Sequence, residues 1–252
     1  MANDVPVPPL IDLHSHLLPG VDDGCATSAQ SAQVAERFYN EGVRALCLTP
    51  HVLLSQTAGA APAALLVRFD AAHQALLAAT GQSSLRFWRG AEIMIDEPPG
   101  ARHDLSAPLT LGESNTVLIE FSTVITSAAV LGSVRALCDL GLVPLIAHPE
   151  RYTCCSSDTV HSWRQAGAWI QGDATSAALG THGHGDRVRA LMRVGLVDVL
   201  AGDNHGDDRS LAAAYRHFLA AGHAAAATQL CSAAAQALLN GAARPTPMSV
   251  EC

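Results

Sequence analysis

Ile11-Asp12-Leu13-His14-Ser15-His16, running on into Leu17-Leu18-Pro19-Gly20-Val21-Asp22-Asp23-Gly24, sets two histidines on alternate residues at the end of an apolar run, with a carboxylate just beyond. Side chains two apart in an extended chain point the same way, so His14 and His16 can reach one cation while Leu13 packs on the opposite face. The pattern then recurs along the chain. Apolar runs end in His51, Glu92, Glu120, His148 and finally Asp203 with His205.

The runs that carry these residues predict strands over Leu10 to His14, Ala45 to Thr49, Leu85 to Ile95, Thr116 to Ser122, Val143 to His148, Trp169 to Asp173 and Val197 to Gly202. Helical patterns lie between them, near 28–41, 62–80, 126–140, 157–167, 184–195 and 208–221, with an Ala-rich one near 224–240. Alternating strand and helix means an α/β fold with a parallel sheet. Ligand-type residues close nearly every strand, and a barrel gathers all its strand ends at one mouth whereas an open sheet scatters them. A distorted barrel of seven strand–helix units is therefore expected. No linker divides the 252 residues, so one domain is expected, with its core over about 10–240 and a loose tail from about 241 to 252 that holds Pro245 and Pro247.

Composition removes several classes of function. The net charge is −8, and all 15 basic residues are dispersed arginines, which argues against a nucleic-acid surface. Without lysine there is no Schiff-base chemistry and no phosphate-loop lysine. No apolar run approaches the roughly 20 residues that span a bilayer, and Met1 to Pro6 lacks the features of a secretory signal, so a soluble cytoplasmic protein is expected. Seven cysteines without C-x-x-C spacing read as reduced thiols. Cys47 and Cys138 read as core fillers, and Cys25, close to the first motif, as a candidate for oxidation. None has arginine six residues on, as a cysteine-dependent phosphatase needs, and the serine-hydrolase elbow G-x-S-x-G is missing.

The candidate ligands number nine: five imidazoles (His14, His16, His51, His148, His205) and four carboxylates (Asp23, Glu92, Glu120, Asp203). Burying Glu92 or Glu120 at the end of an apolar strand costs several kcal/mol unless a cation compensates. One zinc takes about four ligands, so the set implies two or three divalent ions. Nitrogen and oxygen donors without thiolate suit manganese, iron or zinc. Three such ions, four carboxylates and one hydroxide leave a formal charge of about +1, an environment that favours phosphate esters.

Taken in order, Asp12-x-His14-x-His16 with Asp22-Asp23-Gly24, Thr49-Pro50-His51, Gly90-Ala91-Glu92, Ile119-Glu120-Phe121, Ala147-His148-Pro149-Glu150-Arg151-Tyr152 and Asp203-x-His205 resemble the PHP (polymerase and histidinol phosphatase) superfamily. Within it the set looks most like the metal-dependent tyrosine-protein phosphatases of bacterial capsule and exopolysaccharide operons, over residues 10 to 222. The resemblance implies a distorted seven-stranded, TIM-like barrel and a trinuclear centre on the nine ligands, with manganese as the first choice of metal. It also implies that Arg151 and Arg209 grip the substrate phosphate, a role that suits the planar arginine fork. The implied reaction is metal-assisted hydrolysis of phosphotyrosine, hydroxide attacking phosphorus in line, with His148 or His205 free to assist as a proton donor. The implied partner is a bacterial tyrosine kinase or its C-terminal tail; the oligomeric state stays open.

Two departures stand out. Val52-Leu53-Leu54 follows His51 where such phosphatases often carry basic residues, and Gly202 precedes Asp203 where they often have serine. A histidinol-phosphatase-like metabolite phosphatase, a phosphodiesterase and a non-catalytic metal-binding regulatory subunit are the alternatives. His182-Gly183-His184 with Asp186 mimics the first motif but sits in a Gly-rich turn, and Asp173 can either cap a helix or support the site.

Overall fold

The computed structural model describes residues 8–59, 61–81, 83–180 and 183–250. Among the described residues nine strands appear: β1 (Leu10–Asp12), β2 (Val43–Leu48), β3 (His51–Leu53), β4 (Arg86–Arg89), β5 (Glu92–Met94), β6 (Thr116–Glu120), β7 (Val143–Ala147), β8 (Trp169–Asp173) and β9 (Val199–Ala201). They form two parallel sheets, β1-β2-β4 and β3-β5-β6-β7-β8-β9. β3 continues β2 past Thr49-Pro50, and β5 continues β4 past Gly90-Ala91, so the nine strands make seven staves. The barrel closes between first and last staves: Ser15 bridges Asn204, the His16 amide donates to the Asn204 carbonyl (2.8 Å), and the Asp203 amide donates to the His14 carbonyl (3.0 Å).

The expected single strand over Leu85 to Ile95 is thus two. At Gly90 an added Cβ would meet Leu111 Cδ2 at 2.7 Å, so the chain here runs too close to its neighbour for a side chain. Below that point β4 pairs with β2, and above it β5 pairs with β3 and β6.

Alternate strand residues separate into two apolar clusters, as a period of two requires. Ile11, Ala45, Leu118, Leu145, Trp169 and Val199 pack together with Ala234, Ala235 and Leu238, filling the barrel. Leu10, Leu46, Ile119, Ile146, Ile170 and Leu200 face the other way and pack with Phe38, Val134, Trp163 and Phe218 of the outer helices.

Among the described residues the helices are α1 (Ser28–Asn40), α2 (Ala61–Thr80), α3 (Ser127–Asp139), α4 (Ser157–Gln165), α5 (Ala174–Leu179), α6 (His184–Arg193), α7 (Leu211–Ala220), α8 (Ala224–Thr228) and α9 (Ala234–Leu239), the last packing with the inner cluster. Thr27, Thr126, Ser156 and Ser210 cap four of them by accepting an amide N–H two or three residues inside the helix, which fixes where each begins. α5 is absent from the sequence expectation. It is one short stretch, capped by Asp173 and stopped by Gly180 at φ +62°. The Ala-rich pattern over 224–240 is interrupted by a π-turn at Gln229–Ala233.

The tail is mostly exposed and has no regular structure, but contacts hold it at several points. Arg244 donates to the Ala168 carbonyl and lies 5.1 Å from the Trp169 ring centre, Gln229 Nε2 donates to the Thr246 carbonyl (2.9 Å), and the Val250 amide donates to the Met192 carbonyl (3.1 Å). Val250 is fully buried. An apolar anchor and a cation over an aromatic face hold this segment, while the prolines pre-set an extended path. Residues 251–252 lie outside the described residues. Among the described residues no helix is long and apolar enough to cross a membrane.

Candidate metal centre

All nine ligand candidates meet at the mouth formed by the C-terminal ends of the staves. His14 and His16 lie just past β1, and Ser15 between them is fixed by Thr49, whose hydroxyl accepts from the Ser15 amide (2.9 Å). The loop after His16 folds back on itself: the Cys25 amide donates to the His16 carbonyl (2.9 Å) and the Gly20 amide to the Cys25 carbonyl (2.8 Å). A Cβ on Gly24 would collide with the His16 backbone, so only glycine closes this loop. It delivers Asp22 and Asp23 to the cluster.

Three overlapping groups could each hold a cation: His14, His16, Glu92 and Asp203; His51, Glu92 and Glu120; and His16, Asp23, His51 and His205. In the first, His14 Nε2 lies 3.2 Å from His16 Nε2, 3.1 Å from Glu92 Oε2 and 3.3 Å from Asp203 Oδ1. In the second, His51 Nδ1 lies 3.1 Å from Glu92 Oε2 and 3.2 Å from Glu120 Oε1. In the third, Asp23 Oδ1 is 3.4 Å from both His51 Nε2 and His205 Nε2. His148 Nε2 reaches Glu92 Oε1 at 2.9 Å.

The donor set fits a cation centre on two observations. Glu92 Oε2 is buried and close to three imidazole nitrogens, yet no hydrogen bond to it is aligned, an arrangement that suits ligands sharing a cation. Three rings are also locked by their far nitrogens. His14 Nδ1 donates to Gln171 Oε1 (2.9 Å), His16 Nδ1 to Asp22 Oδ2 (2.8 Å) and His205 Nδ1 to the Asp203 carbonyl (3.0 Å). Each leaves Nε2 with its lone pair toward the cluster, the tautomer that a ligand needs.

The electrostatics show how strongly the carboxylates and imidazoles act on one another here. Burial alone would keep Glu92 protonated, but His14, His148 and His16 around it hold its carboxyl well below the usual range. Asp203 behaves alike: burial opposes ionisation, and His14, His16, His148 and Arg151 overcome it. Burial opposes protonation of His14 and His51, and neighbouring carboxylates outweigh it and lift both rings above the ordinary value. Burial and the neighbouring His16 lower His205. Two ligand positions are also strained: His148 (φ +30°) and Asp203 (φ +47°) occupy the left-handed region without being glycine, typical of over-determined functional sites.

Several supporting roles are missing from the sequence reading. Gln171 and Asp22 orient ligands, as above. Asp12 stitches the barrel seam, accepting from the Gly202 amide (3.0 Å) and the His14 amide (3.3 Å). The Tyr152 hydroxyl donates to the Ala147 carbonyl (2.8 Å) and accepts from the Phe121 amide (3.2 Å), fixing the chain beside His148 and Glu120. Glu150 is fully buried, accepts from the Asp173 amide (2.8 Å), and is pushed up to about 7 by burial and by Asp173. For Gln171 a signal existed: it is a polar residue two before Asp173 in an otherwise apolar strand, hence on the same face.

Both arginines converge on one ligand. Arg151 Nη2 is 2.6 Å and Arg209 Nη1 3.0 Å from Asp203 Oδ2, the oxygen that faces away from His14 and His16. Asp173 caps α5, its Oδ1 accepting from the Ser176 amide (2.6 Å), while its Oδ2 lies 3.3 Å from Arg151. His184 is away from the cluster, its Nδ1 donating to the Glu150 carbonyl (3.0 Å), and His182 lies outside the described residues. Cys25 and Cys47 are buried, and burial pushes both thiols up, which leaves Cys25 unsuited to the oxidation considered for it.

The family profile described as capsular polysaccharide synthesis, CpsB/CapC, matches residues 10–232. The chain is 32% identical over 149 residues to the tyrosine-protein phosphatase YwqE of Bacillus subtilis, an alignment covering 56% of this chain and 55% of that protein. It is 30% identical over 147 residues to the tyrosine-protein phosphatase CpsB of Streptococcus pneumoniae, covering 57% and 58%. The chain thus spans a little over half the length of these relatives in sequence. In structure, a crystal chain described with YwqE and CpsB as unique metal-dependent tyrosine phosphatases superposes with a TM-score of 0.74 at 25% identity, covering 96% of this chain and all of that one. With the profile matched across nearly its whole described length, the chain belongs to the CpsB/CapC family of capsular polysaccharide synthesis.

Proposed function

We propose that this protein is a metal-dependent phosphoester hydrolase, a protein-tyrosine phosphatase whose substrate is a tyrosine kinase of capsule or exopolysaccharide assembly, with the kinase's C-terminal tail as the segment presented and the cytoplasm as the compartment. The observation that carries it is the gathering of nine ligand-type side chains at one mouth, eight of them in overlapping cation-sized groups and His148 against Glu92, with two arginines on one of the nine, Asp203. His14, His16, Asp23, His51, Glu92, Glu120, His148, Asp203 and His205 would hold two or three divalent ions, manganese before iron or zinc. Such ions supply Lewis acidity and make water a nucleophile near neutral pH.

The chain's own groups do the rest. Arg151 and Arg209, held by Asp203, Asp173 and Asp207, present guanidinium forks to the nonbridging phosphate oxygens as charge builds. Water forms the new P–O bond, the ester P–O bond breaks, and the phenolate leaves and takes a proton. A phenol has a pKa near 10, so its departure needs little help, and no separate general acid is assigned beyond His148 and His205 at the mouth. EDTA treatment should abolish hydrolysis of a phosphotyrosyl peptide, and Mn²⁺ should restore it. Undiminished activity after complete chelation overturns the proposal.

A further inference from the structure

Beside the cluster lies a cavity of about 380 Å³ lined by His51, Val52, Leu53, Gln56, Met94 and Glu120. Two of these, His51 and Glu120, belong to the ligand set, so the cavity is continuous with the site; its remaining walls are mainly apolar. Leu53 is 43% exposed, an unusual position for a leucine beside a charged cluster. His51 and Leu53 lie in the last segment of the second stave, Glu92 and Met94 in that of the third, and Glu120 ends the fourth, whereas Arg151 and the Asp203–Arg209 pair follow the fifth and seventh. The arginines and the apolar walls therefore flank the cluster from different sides of the mouth.

A phosphate ester whose nonbridging oxygens met the arginines would have this apolar side of the mouth open to its leaving group. About 150 Å³ is enough space for a benzene ring, so this groove, open to solvent on one side, has room for a ring against its apolar wall. Glu120 in its wall and Glu92 behind His51 disfavour an anionic group there, and among the described residues no arginine lines it. We infer that Leu53 and Met94, backed by Val52, seat the aromatic ring of the leaving phenol and select aryl over small alkyl phosphates. The inference rests on the phosphohydrolase reading and makes the apolar stretch after His51 a specificity wall, in the place where a basic one would grip phosphate.

The test uses the Mn²⁺-loaded full chain in two arms. The first compares kcat/KM for phenyl phosphate and methyl phosphate. The second measures phenylphosphonate and methylphosphonate binding by calorimetry; phosphonates have no leaving group, so this arm isolates ring seating from phenol acidity. The ring compounds should be preferred by at least about tenfold in both arms, and Leu53→Asp should cut each preference by about tenfold, the effect of removing one apolar wall. Leu53→Met should retain it, as should Leu219→Asp on the far end of α7, which controls for added surface charge. A ratio near one in the wild type, or one unmoved by Leu53→Asp, overturns the wall. If no ester is cleaved but the phosphonate preference and its loss in Leu53→Asp persist, the cavity stands and the hydrolase reading falls; if esters are cleaved without ring preference, the reverse holds.

Discussion

Asp12→Ala probes the seam that turns seven staves into a closed barrel. Asp12 Oδ1 accepts from the Gly202 amide at 3.0 Å and from the His14 amide at 3.3 Å, and Oδ2 is 3.2 Å from the same Gly202 amide. Burial pushes the carboxyl up to about 7, so the group is held there at some cost. Alanine leaves two N–H groups without an acceptor in the interior, at about 1–3 kcal/mol each. Relief of the buried carboxyl offsets part of this, for a net loss of about 3 kcal/mol, or roughly 6–12 °C in Tm for a chain of this size. Asp12→Asn keeps an oxygen at the position that takes both bonds, so it should stay within about 1 kcal/mol of wild type. Calorimetry of the metal-free protein measures both variants, and native-state hydrogen exchange at the Gly202 and His14 amides should speed up in Asp12→Ala alone. A loss below about 1 kcal/mol in Asp12→Ala, or an equal loss in Asp12→Asn, refutes the seam.

Other outcomes follow from the same contacts. Gln171→Leu removes the acceptor that sets the His14 tautomer, and metal affinity measured by competition with a chelator should fall about 10–100-fold while the fold persists. Tyr152→Phe orphans the buried Phe121 amide, and chemical denaturation should register a loss of about 1–3 kcal/mol. Gly24→Ala forces a Cβ into the His16 backbone, so it should reduce metal uptake together with stability; normal uptake would show that the loop closes another way. Arg151→Gln should raise KM for phosphotyrosyl peptide about tenfold or more, with metal content unchanged.

The repeat of strand and helix was legible because each strand is short, β-rich and bounded by turn residues, and the ligands were legible because each closes such a run. What the sequence concealed depends on contacts between distant segments. The break at Gly90 is set by Leu111, and the placement of the tail by Trp169 and Met192, none of them adjacent in the chain. Asp22 and Asp23 illustrate the same limit. The pair reads as one acidic motif, yet the folded loop turns Asp22 onto His16 Nδ1 and leaves Asp23, 70% exposed, between His51 and His205. Asp12 looked like part of the ligand motif, but its carboxylate is spent on backbone amides across the closure. The apolar stretch after His51 looked like a missing phosphate grip, and only the cavity beside Met94 gives it another use.

The most direct measurement is elemental analysis of metal per chain in the purified wild type and in Glu92→Gln, each assayed with a phosphotyrosyl peptide. Glu92 takes part in two of the three ligand groups and contacts four of the five imidazoles. The expected result is two or three divalent ions per active wild-type chain, with both metal content and activity lost in a folded Glu92→Gln. A wild type active without metal, or a Glu92→Gln protein that keeps full metal and activity, contradicts the centre built on these nine side chains.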